Sequence, residues 1–587
     1  MHHRAPMPQM VVTQPMGLTR PLRVALLVNA LELSVWQAQV VRELAASGDA
    51  EFVVVAVNAS EPGTRRRLPR RRGSNLDTLA GVLFWLYHTR ISRSGAMAPA
   101  GVPECLREVR RIRVTTTKVD RGRRSIGPAD LDRLMEAAPD MMLRFGFGIL
   151  TGDCLDRTPY GVWSFHHGDE SRYRGLPPAF WELHDGEAVV GAVLQRLTER
   201  LDGGVILRRG WFSADPGSYA RTRDRVLLGP ASWPAQVCRE IRERGDAVVR
   251  QPASETRAPI RRQPGLRAFS RFLWRCGRAR LTQLYRSLLR HEDWNVGVAT
   301  LPIESLVGVQ SAPLVRWAPE RPGRYAADPF WATGASGRRI VFEDYSHLTG
   351  VARLASRDVD VHGVWGPVRS ELDIGGHLSY PSIIQYHGAA HLVPESRSQG
   401  EVACYHAGPE ASGWVKFATL LQRDDISDAT MLHWDGLWWI FGTRSRPHIV
   451  NTELMIWYAA DIHGPFSEHR RNPVLVDVRT ARPAGAFIKL GPDLIRPAQD
   501  CASGYGTRIR LKRITTLTPD SFEEEDAGSV EPDPSGGYRM GLHTLNVLDG
   551  MAVVDGKRLV WSGPATLRVL DHHLAVVRER LGLRTGR

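Results

Sequence analysis

The sequence predicts an α/β domain on a mostly parallel sheet followed by an all-β domain of repeated antiparallel units. Three observations carry this. The chain has 587 residues, more than one hydrophobic core holds. Continuous aliphatic and β-branched runs alternate with helical spacing in the first part. From Trp294 onward a strand–turn–strand pattern recurs about every 50 residues.

Composition is that of a globular chain, 43% apolar and 24% charged, so most of it can bury a core. The net charge of +14 is local, concentrated in "RRRLPRRRG" (Arg65 to Gly73) and from Arg261 to Arg290. Such patches suit phosphate, anionic lipid or an acidic partner, and equally a solvated basic face. The six cysteines are far apart and form no CxxC pair, which argues against a zinc knuckle or disulfide framework and suits a reducing cytoplasm. No metal site is expected. The first twenty residues lack an apolar core, and no apolar run nears the roughly 18 residues that cross a bilayer. "LAGVLFWLY" (Leu79 to Tyr87) is expected as a buried helix.

In order along the chain, 1–20 is expected as a disordered tail, 21–225 as the α/β domain, 226–292 as a basic helical linker, 293–575 as the all-β domain and 576–587 as a basic tail. "VALLV" and "FVVVAV" are strands buried on both faces of a parallel sheet, joined by a helix spaced on Val35, Val40, Val41 and Leu44. The loop "NALELS" lacks GxGxxG, so no dinucleotide site is supported there. "DLDRLMEAAPD" is a helix ending near Pro139, "MMLRFGF" a strand, and "GVWSFH" a strand that delivers His166 to its C-terminal end. Open parallel sheets bind ligands at that edge. Beyond Ser213 come Arg-rich helices, with Leu266, Phe269, Phe272, Leu273 and Leu281 forming an apolar stripe. A packing helix, a nucleic-acid contact and a peripheral membrane contact remain open for it; no strong nucleic-acid signal accompanies it.

In the last half, segments starting at Asp328, Tyr380, Asp428, Arg482 and His543 each read as polar start, strand, Gly-containing turn and second strand. Five units of this period fit a five-bladed β-propeller, in which the inner-strand starts converge on one pocket. Glu395 ends a hairpin at the same opening, with Glu343 and His377 as further polar candidates. Arg482, Arg496 and His543 suit an anionic ligand, and Asp500 is placed to orient Arg496.

The stretch from Ser164 through Phe165 and His166 to Tyr173, Arg174 and Gly175 resembles the folate-dependent formyltransferases, where Asn-x-His leads to Tyr-Arg-Gly. "PDMMLRFGFGIL" is similar to that family's Pro-Asp strand and Gly-rich folate loop, and "GEAVVGAVLQRLTERLDGGVIL" to its segment ending in Leu-Asp-x-Gly. The resemblance covers about Pro21 to Phe212. It implies a Rossmann-like domain using N10-formyltetrahydrofolate, with Arg144, Phe145, Gly146, Phe147, Gly148, Ile149 and Leu150 around the cofactor. It further implies Tyr173 and Arg174 on the substrate side, and catalysis by His166, Asp202 and Ser164. An amine attacks the formyl carbon, His166 stabilises the oxyanion, and Asp202 relays the proton. Ser164 stands where the family has Asn, with His167 and Asp169 as polar neighbours, and "GDES" replaces "SLLP", a more polar acceptor side that suits an amino sugar. Cys154 has no paired base and is expected to be structural.

The segment from Trp294 to about Leu570 resembles the propeller domain at the N-terminus of plant glucosamine inositolphosphorylceramide transferases. Its "DPF" start is similar to arabinofuranosidase/xylosidase-type hydrolase propellers. These resemblances imply carbohydrate binding. Hydrolysis through Asp328, Asp428 and Glu395 is an alternative, as are initiator-tRNA formylation, a non-catalytic glycan-binding protein and an accessory to a glycosyltransferase.

Overall fold

The computed structural model describes residues 18–60, 75–120, 122–300, 307–334, 337–360, 362–408, 413–423, 425–561, 563 and 566–567. The tail expected over 576–587, most of that over 1–20 and the arginine run Arg65 to Gly73 lie outside the described residues. The chain divides into two compact units, one of residues 1–181, 191–209 and 226–269, the other of 182–190, 210–225 and 270–587. Within the basic segment 226–292, residues 226–269 belong to the first unit and 270–292 to the second.

The first unit is organised by a sheet of β1 (Leu22–Val28), β2 (Ala50–Asn58), β3 (Arg111–Val114), β4 (Met141–Arg144), β5 (Val162–His166), β6 (Val189–Arg196) and β7 (Val205–Ser213), in the order β7-β6-β5-β4-β1-β2-β3. β1 to β5 run parallel and β6 runs antiparallel to β5. The aliphatic run of β1 is nearly all buried, as a central parallel strand requires. Helix α1 (Val35–Ala46) follows β1, its entry fixed by the Ser34 amide donating to Gln37 Oε1 at 3.0 Å. The strand order reverses between β1 and β4, and at such a switch point a crevice opens beyond the carboxyl ends of the strands. The loops after β1, β4 and β5 all leave from that edge.

The helix at Asn75–Leu86 departs from its sequence reading. Ala80 and Phe84 are buried, but Leu79, Leu83 and Leu86 are exposed, because the apolar run covers more of the helix circumference than the core can.

The second unit contains five sheets of at least four strands, antiparallel apart from the two-residue strand Gln310–Ser311, which runs parallel to Phe522–Val530. The first strands of the five repeats are Arg324–Gly334, Ser379–Tyr386, Ile426–Trp434, Arg482–Pro483 and Leu545–Leu548. The last sheet is completed by His291–Thr300, paired over ten residues with Met551–Val560, so the earliest strand of the unit closes against the latest. The first strands also touch in a closed cycle. Tyr380 N donates to Asp328 Oδ2 (3.2 Å), the Tyr380 hydroxyl meets Thr430 (2.8 Å), and Arg482 pairs with Asp428. Leu545 N then donates to Ala484 O (2.8 Å), and Asn546 Nδ2 to Pro329 O (2.7 Å), returning to the start.

Three of these strands share one device. Asp328, Tyr380 and Asp428 have φ of 51°, 43° and 54°, each within a shift of strand register. A left-handed residue in a bulge re-aims its side chain, and for tyrosine it is strained.

Candidate functional site

In the first unit the parallel register of β4 and β5 sets Ser164 beside Arg144. Arg144 Nε and Nη2 donate to Ser164 Oγ at 3.2 and 3.0 Å, and Nη1 donates to the Gly148 carbonyl. A guanidinium has five N–H donors, so two remain without a partner among the described residues. Burial lowers the Arg144 pKa to about 10, with nearby Asp202 opposing the shift, so the group is a cation at neutral pH.

His166 closes β5. Its Nε2 lies 2.8 Å from the Tyr173 carbonyl, which can only accept, so Nε2 carries hydrogen. Nδ1 faces Asp202 Oδ1 at 3.6 Å, with His166 buried and Asp202 partly buried. Asp202 sits at φ 49° in the "LDGG" turn and accepts from Gly175 N at 3.2 Å, so the "YRG" and "LDGG" segments meet on one carboxylate. Tyr173 and Arg174 are both 8% exposed. Arg174 donates to the carbonyls of Leu201 and Ala258 and so braces the Asp202 turn.

The loop after β4 is held at the switch point by Asn29, whose Oδ1 accepts from Phe147 N at 2.8 Å. A Cβ on Gly146 would lie 2.4 Å from that same oxygen. Phe147 and Leu150 are buried in the core and anchor the loop, while Gly148 is exposed and Phe145, Gly146 and Ile149 are half-buried. Of the predicted cofactor residues, those four and Arg144 have surface to offer. The neighbours considered from sequence do not take the Asn position. His167 packs among Trp36 and Phe165, and burial lowers its pKa to about 3. Asp169 holds Ser171 in a turn. Cys154 is buried and its thiol is pushed up to about 11, in keeping with a structural role.

In the second unit the starts of the first strands meet. Asp328 accepts from Thr544 Oγ1 (2.9 Å) and lies 3.3 Å from His543 Nε2. His543 Nδ1 is 2.5 Å from Asp555, which also accepts from the amides of Asp328, His543 and Thr544. Burial opposes charge on His543, yet Asp555 and Asp328 on its two nitrogens raise its pKa. Trp294 stacks on the ring at 4.1 Å. Asp328, His543 and Asp555 present ligand atoms within 4.8 Å of one another, the spacing of a cation site, although protein donors already occupy the carboxylate oxygens.

Asp428 receives Nε and Nη2 of Arg482 at 2.6 and 2.9 Å, and Gln499 at 2.7 Å. Burial pushes its carboxyl up to about 7 against the pull of Arg482, and Glu395 adds to the rise. Glu395 accepts from Asp428 N at 3.0 Å and is 3.9 Å from Arg482. Burial raises the pKa of Asp328 and Glu343 as well, and the surrounding carboxylates add to it. His377 is half exposed, 3.9 Å from Glu343. The Tyr380 hydroxyl is consumed by Thr430 and by Gly485 N, so its role is to tie strands together. Glu395, Arg482 and His377 are the most accessible groups of the cluster.

Arg496 and Asp500 are not brought into it. Arg496 is 1% exposed, paired with Glu524 at 2.8 Å, and Asp500 is held by Arg510 at 3.1 Å. Asp500 therefore does not orient Arg496, since four residues of strand at about 3.3 Å each separate them. Sequence reading missed Asp555, Gln499, Tyr505, whose ring lies 5.0 Å from the Arg482 guanidinium, and the side-chain role of Arg144. An acid inside the apolar run "MAVVDG" was a usable signal for Asp555.

Residues 294–538 match the family described as glucosamine inositolphosphorylceramide transferase 1, N-terminal. A protein named glucosamine inositolphosphorylceramide transferase 1 from Oryza sativa subsp. japonica is 30% identical over 263 residues, 42% of this chain and 35% of that one. A methionyl-tRNA formyltransferase from Corynebacterium glutamicum (strain R) is 31% identical over 121 residues, 20% of this chain and 38% of that one. The chain thus spans little more than a third of either relative. Among solved structures, glycinamide ribonucleotide transformylase 1 from Symbiobacterium toebii aligns at 14% identity over 37% of this chain and 86% of that one, with a TM-score of 0.25.

Proposed function

We propose that the chain transfers a formyl group from N10-formyltetrahydrofolate to the amine of an amino sugar, and that its second unit is a five-bladed propeller that holds the glycan. The observation that carries the first part is the grouping of His166, Asp202 and the Arg144 cation at the ligand edge of the sheet. The loop after β4 fits a folate, because Asn29 and Arg144 hold it open with Gly148 exposed.

The donor, when bound, supplies the formyl group. With Nε2–H fixed on the Tyr173 carbonyl, His166 turns Nδ1 toward Asp202, and the pair takes the one proton that the attacking amine loses and returns it to the departing nitrogen. The two remaining N–H groups of Arg144 meet negative charge at the reacting carbonyl, the task that the shorter Ser164 cannot do alone. Ser164 is then a positioning residue whose oxygen parks the guanidinium. The similarity to a formyltransferase over 121 residues supports this reading. The closed cycle of five sheets supports the propeller, and a glucosamine-linked name for the family matching 294–538 supports an amino-sugar acceptor. Five buried cysteines, all reduced, and a folate donor suit a cytoplasmic protein. Among the described residues no helix is long and apolar enough to cross a membrane.

Calorimetry with a non-hydrolysable formyl-folate analogue tests the reading. Heat of binding supports it, whereas silence beside a clear glycan signal would make the chain a glycan-binding module. Initiator-tRNA formylation is the second reading, favoured by the name of the bacterial relative. Tight binding of initiator tRNA with a steep salt dependence would select it.

A further inference from the structure

The helix Leu266–Leu289 has two apolar faces, and only one is covered. Phe269, Phe272 and Cys276 are 4%, 0% and 7% exposed. Phe272 packs edge-on against Tyr219 at 5.6 Å, and Gln283 donates to Asp215 at 3.1 Å, fixing the buried side. At about 100° per residue, Leu273, Trp274, Leu281, Leu284 and Tyr285 fall together on another side, where they are 38%, 63%, 70%, 52% and 50% exposed. An exposed row of this kind marks an interaction surface.

Its charge is one-sided. The helix carries six arginines and no acidic residue, and no Asp or Glu occurs from 256 to 291. Arg267, Arg271 and Arg278 border the exposed row, with the Arg278 guanidinium over the Trp274 ring at 5.6 Å.

We propose that this face lies on an anionic lipid surface. The apolar row enters the boundary between headgroups and acyl chains, Trp274 and Tyr285 sit at headgroup level, and the arginines extend to the lipid phosphates. Charge complementarity selects this occupant. A second copy would bring arginine against arginine with no acid on the helix to answer it, whereas an anionic bilayer offers many negative groups in one plane. The inference does not depend on the proposed chemistry.

The full chain is cosedimented with vesicles of phosphatidylcholine alone and of phosphatidylcholine mixed with phosphatidylserine. Binding is expected only to the mixed vesicles, weakening as salt rises. Arg271→Gln and Arg278→Gln are each expected to weaken it about fivefold, the equivalent of about 1 kcal/mol per basic residue. Leu281→Glu together with Trp274→Glu, both at exposed positions that leave the buried face intact, abolishes it. Folding of each variant is checked by thermal unfolding. Wild-type protein that ignores phosphatidylserine, or Leu281→Glu/Trp274→Glu protein that still binds it, overturns the proposal. So does self-association without vesicles that the same double variant removes, since a second copy would then be the occupant.

Discussion

Replacing Arg482 by methionine isolates the ion pair that joins two of the first strands of the second unit. The wild-type pair has bonds of 2.6 and 2.9 Å, with side chains 13% and 3% exposed. Methionine keeps most of the apolar stem but leaves Asp428 with Gln499 as its side-chain donor and no cation. Stranding one member of a buried pair costs about 3–5 kcal/mol. At about 2–4 °C per kcal/mol, the unfolding midpoint should fall by about 6–20 °C. The loss should also depend on pH. Asp428 already titrates at about 7 because of burial, so the folded chain keeps a proton that the unfolded chain releases. Such a group weakens the fold as pH rises from about 4 toward 7, and removing the cation raises its pKa further. Thermal unfolding followed at about pH 5 and about pH 8 should therefore show the larger loss at the higher pH. The double variant Arg482→Met/Asp428→Leu should recover much of it. An equal loss at both values, or none, would refute the reasoning.

Gly146→Ala places a methyl 2.4 Å from Asn29 Oδ1; loss of the Asn29–Phe147 bond should weaken binding of a formyl-folate analogue, as read by calorimetry, with little change in the buried core. His167 has its pKa lowered to about 3 by burial, so it stays neutral while the unfolded chain gains a proton below about 6.5, and acid should destabilise the fold over that interval. His167→Phe, which can stack with Phe165 and Trp36, should shift the acid unfolding midpoint downward. Arg144→Lys should retain activity at low pH and lose it as the buried ammonium deprotonates, an alkaline limb in kcat that a structural role for Arg144 would not produce.

Much of this was legible in the linear sequence. "VALLV", "FVVVAV" and "GVWSFH" become strands within a few residues of their expected limits, because runs buried on both faces leave little choice of register. Of the residues read as strand starts, Asp328 contacts Tyr380 and His543, and Asp428 pairs with Arg482. What was lost depended on pairing across strands. Ser164 and Arg144 are twenty residues apart in sequence and adjacent only in parallel register, and Arg496 meets Glu524 across an intervening antiparallel strand. The helix at Leu266 misled for another reason. Its apolar residues form two rows, and Leu273 and Leu281 belong to the uncovered one.

The central claim is that formyl transfer takes place at His166 and Asp202, and movement of label tests it most directly. Purified chain is incubated with N10-formyltetrahydrofolate labelled in the formyl carbon and with a panel of amino sugars. The account predicts an N-formylated sugar carrying the label, formed in step with tetrahydrofolate, and falling by about 100-fold or more in His166→Ala and Asp202→Asn. Label that reaches no amine with folded wild-type protein, or that moves equally well in His166→Ala, would contradict it.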